Sequence, residues 1–151
     1  MQVRLTKDIF DPQAEIAAFT AGRSDAGALV SFVGTCRAAT SGQPVRALQI
    51  DQYEGFSLNE ITRLAEEIAQ RFACPDLLVI HRFGVIRPGE AIVLVAALSE
   101  HRSNAFEAVR VLMDYLKTDA PLWKKETGPD GAHWVEPRAE DHLRRAQAGK
   151  A

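Results

Sequence analysis

Ala91-Ile92-Val93-Leu94-Val95-Ala96-Ala97-Leu98, then Ser99-Glu100-His101-Arg102, then Ser103-Asn104-Ala105-Phe106 through Asp114-Tyr115-Leu116-Lys117, decides the architecture of this 151-residue chain. The first eight residues are all apolar, which reads as the most buried and therefore central strand. From Ser103 the period changes to 3.6. A helix to Lys117 places Phe106, Val109, Leu112, Met113 and Leu116 on one face, the face it would bury. A His-Arg pair opens this helix and a lysine closes it. Its N-terminal amides and partial positive charge attract anions, and Arg102 adds a forked donor suited to phosphate or carboxylate. His101 can donate a hydrogen bond or carry a proton near neutral pH. The cation at Lys117 is also what the helix dipole favours at a C-terminus.

Working outward, Gln2 to Ile9 reads as an edge strand. Asp11-Pro12 starts a helix, with Asp as N-cap and Pro at the first helical position, and that helix stops near Gly22. Ala28 to Val33 is a second apolar run, read as a buried strand that ends at Gly34-Thr35-Cys36-Arg37. Ala38 to Pro44 is small and polar and reads as an active-site flap. Val45 to Tyr53 alternates as a strand does. Leu58, Ile61, Leu64, Ala65, Ile68 and Phe72 then mark the apolar face of a helix that must end before Cys74-Pro75. Leu77 to Ile80 is a strand running into His81-Arg82-Phe83-Gly84, read as structural or interface residues. Arg87-Pro88-Gly89-Glu90 is a turn. Thr118 to Gly131, with Pro121 and Pro129, is a long connection that Trp123 would anchor as an ordered loop. His133 to Val135 adds a short strand and Arg138 to Gln147 a charged tail helix.

Pairs of strands between single helices predict one α+β domain spanning 1–151, with a mixed, mostly antiparallel sheet and a tail from about 139 that is peripheral. Net charge is −2 and the pI about 6.1, without the basic surplus that nucleic-acid binders carry. No apolar stretch reaches the roughly 18 residues a membrane helix needs. The N-terminus has no basic segment followed by an apolar run. The two cysteines and four scattered histidines have neither zinc nor CxxC spacing. The expectation is a cytoplasmic protein with no metal, cofactor, nucleic-acid or membrane partner.

The chemistry concentrates in cations. Lys117, Lys124 and Lys125 lie close in sequence, and neighbouring lysines lower each other's pKa from about 10.4, further so when buried. Such an amine serves as base, nucleophile or oxyanion stabiliser. Arg37 ends a strand just after Gly34, where a backbone can approach a ligand. Arg138 follows Trp134-Val135-Glu136 and can reach back to the same place. Three other readings compete. One is an acyl or phosphoryl transferase with a small-molecule donor. Another is a docking module without chemistry, which has no need of a lysine pair. The third is a nucleic-acid binder, which the pI disfavours.

The motifs Phe32-Val33-Gly34-Thr35-Cys36-Arg37, His81-Arg82-Phe83-Gly84 with Pro88-Gly89-Glu90, Ser99-Glu100-His101-Arg102, Asp114-Tyr115-Leu116-Lys117 and Pro121-Leu122-Trp123-Lys124-Lys125-Glu126, with Gly131 and Trp134, occur in this order. In them the chain resembles the MoaE family, the large, catalytic subunits of molybdopterin synthase. The resemblance runs from Ala28 to Arg138. It implies an α/β-hammerhead fold and a homodimer that binds two small ubiquitin-like sulfur-carrier subunits, giving a heterotetramer. Its implied activity is that of a sulfurtransferase in molybdenum cofactor biosynthesis. Sulfur passes from the carrier's C-terminal Gly-Gly thiocarboxylate to cyclic pyranopterin monophosphate, forming the dithiolene of molybdopterin. The resemblance makes Lys117 and Lys124 the essential lysines and places Arg37, His101 and Arg102 around the anionic substrate. Thr35, Cys36, Lys125 and Glu126 would line the same pocket. The chain departs from the family pattern at Cys36, where Val or Ile is usual, and at Ala38-Ala39-Thr40-Ser41-Gly42, which lacks the usual Asp or Asn.

Overall fold

The computed structural model describes residues 1–150. Strand β1 (Gln2–Thr6) leads into α1 (Pro12–Thr20), whose N-cap Asp11 accepts a hydrogen bond from the Gln13 backbone N–H at 2.9 Å. Next come β2 (Ala28–Thr35) and a two-stranded ribbon, β3 (Ala39–Thr40) and β4 (Gln43–Pro44). Strand β5 (Ala47–Gln52) precedes α2 (Phe56–Arg71). Strands β6 (Asp76–Arg82), β7 (Gly84–Ile86) and β8 (Ala91–Ser99) follow, then α3 (Arg102–Thr118). Strands β9 (Leu122–Gly128) and β10 (Gly131–Val135) precede the last helix, α4 (Ala139–Ala148).

The strands form two four-stranded sheets. The first has the order β1-β6-β8-β2, with β1 parallel to β6 and the other pairs antiparallel. The second has the order β10-β9-β5-β7 and is antiparallel throughout. This is the expected α+β architecture with a mostly antiparallel arrangement.

Strand β8 is central, as its unbroken apolar run requires. Its two faces serve two cores. Val93, Val95 and Ala97 pack under α2 and α3 with Ile61, Leu64, Ile68, Val109 and Leu112. Leu94, Ala96 and Leu98 pack under α1 with Phe19, Leu78 and Ile80. A third cluster of Cys36, Val45, Leu48, Ile50 and Ile86 joins the second sheet to the end of β2. A buried ion pair locks the turn after β7: Arg82 donates to Glu90 at 2.7 Å and also reaches the Lys7 and Val85 carbonyls.

Three expectations are corrected. Ala28–Val33 is not a buried strand. Strand β2 lies at the sheet edge, and Leu29, Phe32 and Val33 are 42%, 40% and 37% exposed. On that face α1 packs against Leu78 and Ile80 of β6 and Leu94, Ala96 and Leu98 of β8, and leaves Leu29 and Val33 of β2 exposed. Phe106 is 59% exposed; the α3 face against the sheet is set instead by Ala105, Ala108 and Val109, whose small side chains let helix and strand approach closely. The connection from Thr118 to Gly131 contains a seven-residue strand, β9, paired on both sides. Its Lys-Lys-Glu-Thr composition concealed it, since charged residues are depleted in strands.

Candidate functional site

A cavity of about 530 Å³ opens between the two sheets, the C-terminal end of α3 and the start of α4. Four cationic side chains line it, Arg37, Lys117, Lys124 and Arg138, against three carboxylates, Glu126, Glu136 and Asp141. Thr35 and Cys36 complete the wall at the end of β2. Seven of the site residues expected from sequence therefore converge, although they come from β2, α3, β9 and the loop after β10.

Strand geometry decides which residues of β9 reach the cavity. Side chains alternate between faces, so Leu122, Lys124 and Glu126 point in. Trp123 and Lys125 belong to the other face. Trp123 meets Tyr53 edge-on, with ring centroids 4.9 Å apart. The Lys125 ammonium lies 5.3 Å from the Trp134 ring centroid. The expectation for Lys125 is thus corrected: reading this segment as a loop hid the alternation.

His101 and Arg102 also lie outside this cavity. They sit at the opposite end of α3, and Lys117 follows Arg102 by 15 helical steps, about 22 Å along the axis. The His101 side chain is 69% exposed and approaches only Glu100, at 3.9 Å.

Lys124 is the more enclosed of the two amines, partly buried on β9. Burial, and then the Lys117 ammonium, push its pKa below the ordinary lysine value, while Asp141 opposes them. Lys117 is about half exposed and donates to Asp141 Oδ1 at 3.3 Å. Burial alone raises the Asp141 carboxyl, but the Arg138 backbone N–H and the Lys117 charge overcome it and hold it below its usual range. Glu126 is fixed by the Thr40 hydroxyl, which donates to Oε1 at 3.0 Å. That bond fastens the ribbon to the cavity rim, so the expected flap is an ordered hairpin. Ser41 and Gly42, with φ of 50° and 80°, supply the two positive φ angles of a type I′ turn.

Cys36 is held by its backbone, whose N–H donates to the Glu90 carbonyl at 2.9 Å and whose carbonyl accepts from Gly89. Burial, then Glu126 and Glu90, raise its thiol. It lines the wall as a thiol rather than a thiolate nucleophile.

Sequence reading missed two residues of the wall. His81 is buried and borders the cavity. Its Nδ1 lies 2.8 Å from the Arg82 carbonyl oxygen. A carbonyl only accepts, so Nδ1 carries the ring proton. Burial, helped by the Lys124 charge, drops the His81 pKa to about 4, leaving a neutral imidazole among cations. Asp141 is the second. Its only signal in sequence was its place three residues after Arg138, where an acidic side chain caps a helix. Among the described residues no His/Cys/Asp/Glu cluster suits a metal ion, and no helix is long and apolar enough to cross a membrane.

Comparison with known proteins identifies the family. The sequence profile of the family described as "MoaE protein" matches residues 5–119. The molybdopterin synthase catalytic subunit of Caulobacter vibrioides is 49% identical over 141 residues, 93% of each chain. That of Mesorhizobium japonicum is 51% identical over 141 residues, 92% of this chain and 87% of its own. The structure of the molybdopterin biosynthesis MoaE protein from Burkholderia ambifaria superposes with a TM-score of 0.81 at 40% identity, covering 98% of this chain and 97% of that one. With a profile that spans most of the chain and relatives this similar over nearly its whole length, the chain belongs to the MoaE protein family.

Proposed function

We propose that this chain is the catalytic subunit of a molybdopterin synthase. It transfers sulfur from the C-terminal thiocarboxylate of a small ubiquitin-like carrier to cyclic pyranopterin monophosphate, forming the dithiolene of molybdopterin. The observation that carries this reading is the convergence of Arg37, Lys117, Lys124 and Arg138 on one cavity. Both reactants are anions, and a net cationic hollow holds both. Arg37 and Arg138 suit the phosphate, which a guanidinium fork binds bidentately. Lys117, charged and partnered, polarises the acyl group of the carrier tail. Lys124, partly buried and more easily deprotonated than an ordinary lysine, moves the proton. Glu126 and Asp141 orient the cations around them.

His101 and Arg102 enter this reading through a second copy of the chain. Strand β2 is an uncovered edge with exposed Leu29, Phe32 and Val33. It begins beside the start of α3, since Ala28 pairs with Ser99, and ends at the cavity with Thr35. Its eight residues span roughly 26 Å, close to the separation of Arg102 from Lys117. Two β2 edges meeting antiparallel about a two-fold axis therefore bring His101 and Arg102 of one copy to the cavity of the other. A homodimer of this kind, with one carrier on each copy, is a heterotetramer.

The test mixes purified protein, thiocarboxylated carrier and pterin precursor and assays dithiolene product. Product is expected only when all three are present. Equal product from a carrier ending in an ordinary carboxylate, or an unimpaired Lys117→Ala variant, refutes the assignment.

A further inference from the structure

We infer that Asp141, at the first turn of α4, is the residue that positions the Lys117 amine in the cavity. The inference deepens the reading above, because it takes Lys117 to act at the transferring centre. Asp141 divides its two oxygens between two tasks. Oδ1 accepts from Lys117 Nζ at 3.3 Å, and Oδ2 accepts from the Arg138 backbone N–H at 3.0 Å. One carboxylate thus caps α4 and ties it to the end of α3. The Asp141 side chain is only 14% exposed, while the lysine end of the contact is about half exposed.

Two other carboxylates, one on α3 and one on β9, are engaged elsewhere. Asp114 lies on the same helix one turn before Lys117, but Arg110 engages its carboxylate at 3.3 Å. Glu126 faces the cavity from β9 and holds the Thr40 hydroxyl. Arg138 and Lys124 carry the same charge as Lys117 and push its amine away. An unpartnered amine at the half-exposed end of a helix would sample several rotamers. With Asp141 in place the ammonium is held near Lys124 before substrate arrives, so less ordering remains for the reaction. The placement of α4 is itself secured elsewhere. Arg145 pairs with Asp119 and stacks on the Tyr115 ring at 3.6 Å, and Arg71 donates to the Ala148 carbonyl. The final helix is therefore a working part of the site, although it lies beyond residues 5–119 that define the family match.

Three substitutions separate the two tasks of the carboxylate. Asp141→Asn keeps an acceptor for the Arg138 N–H but removes the charge. Asp141→Glu keeps both, since glutamate is the usual capping partner at this position. Asp141→Ala loses both. We expect Asn to lower kcat about tenfold with little change in precursor KM, Glu to restore most of it, and Ala to be the worst. Glu140→Gln, one residue away and exposed, should match wild type. A readout independent of turnover is the rate of Lys117 acetylation by acetic anhydride, followed by mass spectrometry. It should rise in Asn and Ala and stay low in Glu. Wild-type kcat and wild-type Lys117 labelling in Asp141→Asn overturn the inference. So do equal losses in Asn and Glu that track melting temperature alone. If wild-type protein makes no dithiolene at all, the proposed function fails, and the labelling pattern still decides the role of Asp141.

Discussion

At the scale of single residues, the site depends on how burial divides similar side chains. Lys117 and Lys124 have the same chemistry, yet one is half exposed beside a carboxylate and the other is enclosed and opposed by a like charge. Replacing either with alanine should cost roughly 100-fold or more in turnover, as loss of a proton-transferring or charge-stabilising group does. Lys124→Arg should not rescue, because a guanidinium does not give up its proton; single-turnover assays of product check both. His81 gives a stability prediction. Its folded pKa of about 4 lies below the ordinary 6.5, so the unfolded chain binds more protons between these values. Stability is therefore unaffected by this group above pH 6.5 and falls as pH drops from 6.5 to 4, by on the order of 3 kcal/mol. Urea denaturation across that range should show a His81→Gln variant losing less stability than wild type. Parallel curves for the two proteins would contradict the burial argument.

At the scale of elements, α3 links the core to the chemistry. Its buried stripe packs against β8 while its last turn delivers Lys117. Leu112 is fully buried in that stripe. Leu112→Ala should cost about 2–5 kcal/mol, read from the shift of the denaturant midpoint. Strand β9 shows how much one element assignment decides. Once it is a strand, period two selects Lys124 and Glu126 for the cavity and turns Lys125 toward Trp134. Lys125→Ala should consequently leave turnover within about twofold of wild type, a change no larger than those of exposed charges far from the reacting groups. Position 34 is constrained by its cross-strand partner Val93 and by Phe32, two residues before it on the same strand. A Cβ there would stand 2.8 Å from Val93 Cγ1, so the strand that carries Thr35 and Cys36 must remain glycine at this point or move.

At the scale of the molecule, the chain is partly unfinished. The β2 edge exposes unpaired backbone and apolar side chains, which monomeric proteins usually cover. If a second copy covers it and completes each site, two inactive variants must complement. Lys117→Ala and Arg102→Ala, each inactive alone, are expected to recover about a quarter of wild-type activity after mixing and reassociation, because only one site in each mixed dimer is intact. Failure to recover activity, with mixed dimers demonstrated by mass spectrometry, would place Arg102 outside the site. Phe32→Asp and Val33→Asp should both shift the mass in light scattering toward a monomer.

The amino-acid sequence by itself determined the element order around β8, the helix faces of α2, the Asp11 cap and the cationic character of the site. These depend on period, on capping chemistry and on residue type, all local properties. Strand β9 was not legible because its charged residues imitate a loop. The exposure of Leu29 and Val33 was not legible because apolar composition cannot tell an edge strand from a central one. Only the tertiary structure could bring residues 35 to 37, 117, 124, 126, 138 and 141 together, whereas the separation of Arg102 from Lys117 already followed from their places at opposite ends of one helix. Convergence of this kind is set by sheet order and by how the sheets and helices pack in space, and neither is written in any local window of the chain.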